Sequence, residues 1–204
     1  MKIEKTFIIS LPGRLDRLIP LIDYLKSIGF DYSVVSAIKN SDGRKGLILT
    51  IEKLFGDILK EDGDIFLILE DDCKFLTNPI DTIEKCFEQL SDDFDMLFLG
   101  CNLWQNKVEK YSENLILLQD AYALHSVIYS RNGMAKILGA IHEMKDVVPL
   151  DVLIKEKVMV ENKCFCSIPM ITTQIDSYSD IEKRNTKYSK FLEERFAEKT
   201  KHLQ

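Results

Sequence analysis

No stretch of this sequence stays apolar for long enough to cross a membrane. The opening residues MKIEKTFIIS hold too short an apolar run, with no small-residue cleavage site, for a signal peptide. The expected compartment is the cytoplasm. There is no G-x-x-x-x-G-K-[S/T] loop, since Gly43-Arg44-Lys45-Gly46 has the wrong spacing, and this excludes a Walker-type nucleotide site. The first apolar segment ends in Ser10-Leu11 without an acid, which argues against a phosphoryl-acceptor or haloacid-dehalogenase-type aspartate. Cysteine is sparse and odd in number: Cys73, Cys86, Cys101, Cys164 and Cys166 match no zinc pattern, and Cys164-Phe165-Cys166 is one residue short of C-x-x-C. Reduced, structural thiols are expected. Positive charge is in deficit, with 27 Lys and Arg against 33 Asp and Glu and a formal net charge of -6. That balance argues against a nucleic-acid partner. Repeats, low-complexity tracts and linkers are absent, so the 204 residues are expected to form one domain.

What is present is an alternation of apolar strands and amphipathic helices. Lys5 to Leu11 forms a strand pattern that Pro12-Gly13 ends. Arg14 to Ile28 carries Leu15, Leu18, Ile19, Ile22, Leu25 and Ile28 at helical spacing, and Gly29 is placed to stop it. A strand over Asp31 to Ile38, a turn at Asn40 to Gly43 and a helix over Leu47 to Leu59 follow. Ile65 to Leu69 is a continuous apolar run, as expected of a parallel strand covered on both faces. A helix to about Leu90 and a strand over Asp95 to Gly100 complete the regular half. Beyond it the pattern predicts a short hairpin within Cys101 to Asp120, a strand over Ala121 to Tyr129 and a helix over Arg131 to Ile141. A short helix over Pro149 to Lys157 and a strand pair broken at Pro169 come next. The tail from Ile181 is charged and helix-prone. The α/β class with a mostly parallel, helix-covered sheet follows. Such sheets bind ligands beyond the carboxyl ends of their strands.

One stretch, DIFLILEDDCKF, runs its apolar residues straight into Glu70, Asp71 and Asp72. Adjacent like charges repel, and burial raises the cost. Either the acids fan into water as a solvated turn, or something positive sits among them. Hard divalent cations choose carboxylate oxygens, and Glu70 and Asp72 point the same way on an extended chain. Mg²⁺ or Mn²⁺ held so sparsely keeps room for the oxygens of a diphosphate leaving group.

The segments FIISLPGRLDRL, ILEDDCKF, DMLFLGCN, YALHSVIYSRNGMAKIL, VPLDVLI and PMITTQIDSYSDIE fall in the order seen in glycosyltransferase family 25, and the chain resembles that family over most of residues 5 to 188. It is also similar to small viral glycosyltransferase domains. The resemblance implies a GT-A fold, with residues 1–100 as the nucleotide-sugar half, 101–180 as the acceptor half and 181–204 as a helical tail. It implies a UDP-sugar donor, Mn²⁺ or Mg²⁺, an inverting transfer and a glycan or lipid-linked glycan acceptor. By the same carry-over Glu70-Asp71-Asp72 is the donor motif, with Asp72 on the metal and Glu70 near the metal or ribose. Glu70 stands where the family usually has Asp. The relatives' Ser-His pair has no counterpart in Lys45 to Thr50, and the only late histidine is His202.

Further candidates divide between function and plain structure. Ser10, Leu11, Arg14 and Arg17 follow the first strand, where the fold meets nucleotide; Ser10 is equally a helix cap and Arg17 a solvated residue. Small residues Ser36 and Ala37 let a base pack closely. Lys45 can balance diphosphate charge or sit as an exposed turn lysine, and Thr50 closes the same stretch. Asp151 is the first candidate for the carboxylate that deprotonates the acceptor, or a helix cap. Asp180 is the second. Gln174 can bond donor or acceptor. His125 reads as a core histidine. Trp104 lies in the irregular segment, where it can stack on a sugar ring or plug a small core. The weakly basic tail is a solvated helix or a contact for an anionic membrane. A nucleotidyltransferase and a non-catalytic carbohydrate-binding domain of the same fold are the alternatives.

Overall fold

The computed structural model describes residues 1–179 and 182–203. The first half runs β1 (Lys5–Ser10), α1 (Leu15–Ser27), β2 (Ser33–Ser36), α2 (Gly43–Ile58), β3 (Ile65–Glu70), β4 (Cys73–Phe75), α3 (Ile80–Gln89) and β5 (Met96–Phe98). The second half opens with β6 (Asn102–Leu103), β7 (Glu109–Ser112), β8 (Leu115–Leu117), β9 (Ala121–Tyr122) and β10 (Ser126–Ser130). It continues with α4 (Arg131–Glu143), α5 (Leu150–Lys157), β11 (Cys164–Ser167), β12 (Thr172–Gln174), β13 (Ser177–Ser179), β14 (Arg184–Thr186) and α6 (Tyr188–Thr200).

Eight strands form one sheet in the order β2-β1-β3-β10-β5-β11-β8-β7. β1 is parallel to β2 and β3, and β11 to β5, while β10 runs antiparallel between β3 and β5. The inner strands are buried on both faces, which is why β3 reads as an unbroken apolar run. Phe66 and Ile68 face a core shared with α2, α4, α5 and α6. Ile65, Leu67 and Leu69 face a second core built with α1 and α3. All five cysteines are buried and free of disulfides.

Three expected elements differ in burial or pairing. The buried positions of α1 are Arg17, Leu21 and Leu25, while Leu15 and Ile19 are 58% and 51% exposed. The buried stripe therefore begins with a charge, because acids at the end of β3 receive it. The strand expected over Ala121 to Tyr129 is two pieces, β9 and β10, parted by Ala123 at φ 70°. The pair expected over Lys163 to Thr173 divides between sheets: β11 joins the main one, and β12 pairs antiparallel with β4. That last pairing places Gln174 opposite Cys73, next to the acids.

Gly100 sets how closely β5 approaches the segment leading into β12. A Cβ there would lie 2.1 Å from the Thr172 carbonyl oxygen. Gly100→Ala is expected to destabilise the fold by about 1–3 kcal/mol through overpacking. Gly56→Ala, where a Cβ meets nothing within 4 Å, should instead stabilise by about 0.5–1 kcal/mol. Urea unfolding of both variants checks the contrast.

Candidate active site

The parallel strands β1, β2 and β3 end at one rim of the sheet. Ser10 is in register with Ser36, and Ile9 with Glu70. Past that rim lies a cavity of about 530 Å³. Its walls include Ser10, Leu11, Arg17, Ala37, Glu70, Asp71, Asp72, Asp151 and Gln174, so nine candidates named from sequence converge there. Residues from the loop before α2 and the start of that helix, the β6–β9 ribbon, the start of α5 and the segment from β13 to α6 close the rest.

The positive group among the acids is Arg17. Its Nη1 donates to Asp71 Oδ1 at 3.1 Å and lies 3.7 Å from Asp72 Oδ2. Its Nη2 donates to Ser177 Oγ at 2.7 Å and to the Tyr178 carbonyl. Ser10 Oγ donates to the other oxygen of Asp71 at 2.7 Å. Asp71 is thus buried and bonded at both oxygens within the protein. Its neighbours are less compensated. Burial raises Asp72 to about 6, against the pull of Arg17 and a 3.2 Å hydrogen bond from Gln174 Nε2. Burial pushes Glu70 well above the usual carboxylate range, and the charges of Asp72, Asp71 and Asp151 add to it. Among the described residues the buried Asp72 Oδ1 has no hydrogen-bond partner.

These features fit a divalent cation. The donors are hard oxygens, one buried carboxylate oxygen is unpartnered, and the carboxylates carry more charge than Arg17 offsets. The residues that would hold it are Asp72 and Glu70. Among the described residues no group of three or more His, Cys, Asp or Glu is placed to hold a metal. A diphosphate and water would have to complete such a shell.

Asp151 lies in the first turn of α5, two residues past the cap position, which Pro149 occupies. The Val152 N–H donates to its Oδ1 at 2.9 Å, and the Ala123 N–H holds it as well. Burial nevertheless raises its affinity for protons. That suits a group that accepts a proton near neutral pH.

Other candidates sit elsewhere. Arg14 is outside the cavity wall, bonded to Asp16 and the Tyr178 carbonyl. Ser36 is exposed on the outermost strand, and Lys45 is exposed and off the wall. Thr50 is buried; it donates to the Gly46 carbonyl and accepts from the Ile38 N–H, fastening α2 to the end of β2. Asp180 lies outside the described residues. Lys39, Arg44, Asn102 and Tyr122 line the cavity without having been named as donor contacts. The first two flank a turn whose length the sequence pattern does not fix.

No family model matches the sequence, and none of the curated proteins matches it. Solved structures do resemble the fold. A197 from STIV superposes with a TM-score of 0.55 at 14% identity, over 88% of this chain and 91% of that one. A glycosyltransferase involved in the glycosylation of the major capsid of PBCV-1 superposes at 0.53 and 10% identity, over 88% of this chain and 95% of its own. The chain has a GT-A-type α/β architecture, with a large, mixed, mostly parallel central sheet and flanking helices.

Two outcomes follow from the buried charges. Arg17→Met strands Asp71 without its cation and is expected to cost roughly 3–5 kcal/mol in chemical denaturation. The second concerns His125, which is fully buried, held to about 4 by desolvation, and has an unpartnered Nδ1. Below pH 6.5 the unfolded chain binds a proton that the folded chain refuses until about pH 4. This residue's contribution to stability is therefore lost as pH falls through that window. Asp72, raised to about 6, acts in the opposite sense. His125→Gln should gain stability relative to the parent between pH 7.5 and 4.5, measured by urea unfolding at each pH.

Proposed function

We propose that this protein is a glycosyltransferase that takes a sugar from a UDP-linked donor and moves it to a hydroxyl of a glycan. The observation that carries the reading is one cavity with Glu70 and Asp72 on one wall and Asp151 on another. The sequence resemblance to family 25 and the fold of the viral glycosyltransferase support it.

In this reading Leu11 and Ala37 flank the nucleotide, and Ser10 and Arg17 keep Asp71 fixed beneath it. Gln174 orients Asp72. A bound Mn²⁺ or Mg²⁺ would supply positive charge for the diphosphate leaving group. Asp151 accepts the proton of the attacking hydroxyl, and the N–H groups of Val152 and Ala123 hold its carboxylate in position. The family resemblance supports inversion at the anomeric carbon.

Calorimetric titration of UDP with Mn²⁺, and again with EDTA, tests the donor site. Binding should require the metal and be lost in Asp72→Asn. Binding that survives both EDTA and the mutation would remove the metal-assisted donor site, and absence of UDP binding in the parent would remove the UDP claim. Asp151→Asn should lower turnover by roughly 10²–10⁴-fold while UDP affinity stays unchanged. Parent-like turnover would end its role as base.

A further inference from the structure

One end of the cavity carries a surface that the donor site does not use. β6 and β9 form a two-stranded ribbon in which Leu103 pairs with Ala121 and Asn102 with Tyr122. Opposed residues share a face. Leu103 and Ala121 are fully buried in the core, so Asn102 and Tyr122 occupy the other face, and both line the cavity. The amide oxygen of Asn102 is buried and, among the described residues, has no hydrogen-bond partner. The Tyr122 hydroxyl accepts from Lys155 Nζ at 2.9 Å. Lys155 is one helical turn along α5 from Asp151, so this ring is tied beside the proposed base.

Trp104 extends the surface outward. Its ring meets that of Tyr122 edge to face, with centroids 6.2 Å apart. Arg195 lies 3.8 Å from the indole centroid and donates through Nε to the Leu103 carbonyl at 2.8 Å. The indole is therefore braced from one side, yet Trp104 remains 47% exposed. A fixed, exposed aromatic ring beside an unanswered amide matches one kind of ligand well. A pyranose presents an apolar C–H face for the ring and a rim of hydroxyls for the amide. The charges select within that class. Lys155 is paired with Asp120 at 3.6 Å, and Arg195 is engaged with the ring and backbone. The ribbon itself presents an amide, a phenol and an indole, all uncharged, while the charged residues lining the cavity, Glu70, Asp72, Asp151, Lys39, Arg44 and Lys183 among them, belong to other elements.

We propose that Trp104, Tyr122 and Asn102 form the acceptor subsite, and that it takes a neutral pyranose whose apolar face stacks on the open side of the Trp104 indole, with the Tyr122 ring edge-on beside it. The assignment rests on the glycosyltransferase reading for its role, and on the ribbon alone for its ligand class.

Trp104 is the sole tryptophan of the chain, so indole fluorescence reports this position alone. The UDP- and Mn²⁺-saturated protein is titrated with lactose, cellobiose, methyl β-galactoside and methyl β-glucoside, and in parallel with glucuronate. At least one neutral sugar should give a saturable change, with a dissociation constant on the order of 1–10 mM. Asn102→Ala should weaken that binding at least five-fold with the sugar-free spectrum unchanged. In Trp104→Ala, saturation-transfer NMR on the sugar protons should lose its signal while UDP binding persists. No saturation with any neutral sugar, a response to glucuronate only, or parent-like NMR transfer in Trp104→Ala would each overturn the proposal. UDP binding without a sugar response would remove this subsite and leave the donor site standing. A sugar response without UDP binding would remove the donor site and keep the subsite as that of a carbohydrate-binding domain.

Discussion

The contact between Arg17 and Asp71 is the constraint on which the site depends. Three successive acids end the most apolar strand of the protein, and their burial is tolerable only with a cation inside the cluster. Arg17 supplies it from α1 and reaches across to Ser177 and Tyr178 on β13. One guanidinium thus joins the first helix, the end of the third strand and a late hairpin. A planar fork of donors can do this, whereas the point charge of a lysine cannot. With Asp71 consumed internally, Glu70 and Asp72 remain as the carboxylates whose charge is open to a ligand.

Much of the fold was legible because both cores leave a plain periodic mark. The run Ile65 to Leu69 announced a doubly covered strand, and its acids announced the rim where this architecture binds ligands. The face of α1 was misread because apolar periodicity assigns no weight to an arginine, although Arg17, Leu21 and Leu25 stand four residues apart on one stripe. Its only sequence signal was that spacing together with the unexplained excess of acid elsewhere. The break at Ala123 was hidden for a different reason. A left-handed residue other than glycine is set by its surroundings, here by the turn that brings its N–H to Asp151.

The site candidates divide along the same line. Ser10, Leu11, Glu70, Asp72 and Asp151 are placed by strand ends and a helix start, which pattern locates to within a residue or two. Lys45 and Thr50 depend on where α2 begins and which way it is rotated. The helix begins at Gly43, earlier than its apolar pattern suggests, and Thr50 then turns inward to the Gly46 carbonyl while Lys45 turns out. The second half of the chain is harder still, since β12 leaves the main sheet for a pairing with β4 that no local pattern specifies.

That pairing bears on how the protein is made. A ribosome delivers the chain from its N-terminus, and the parallel core of β1, β2 and β3 can collapse early. Its acids then wait for partners encoded about a hundred residues later: Gln174 for Asp72, and the β13 contacts that fix Arg17. Until those emerge, the carboxylate cluster is wet and loosely held. The rim formed by β1, β2 and β3 therefore becomes a defined cavity only as the C-terminal third docks, so the last part of the chain to be made is the part that finishes the pocket begun by the first.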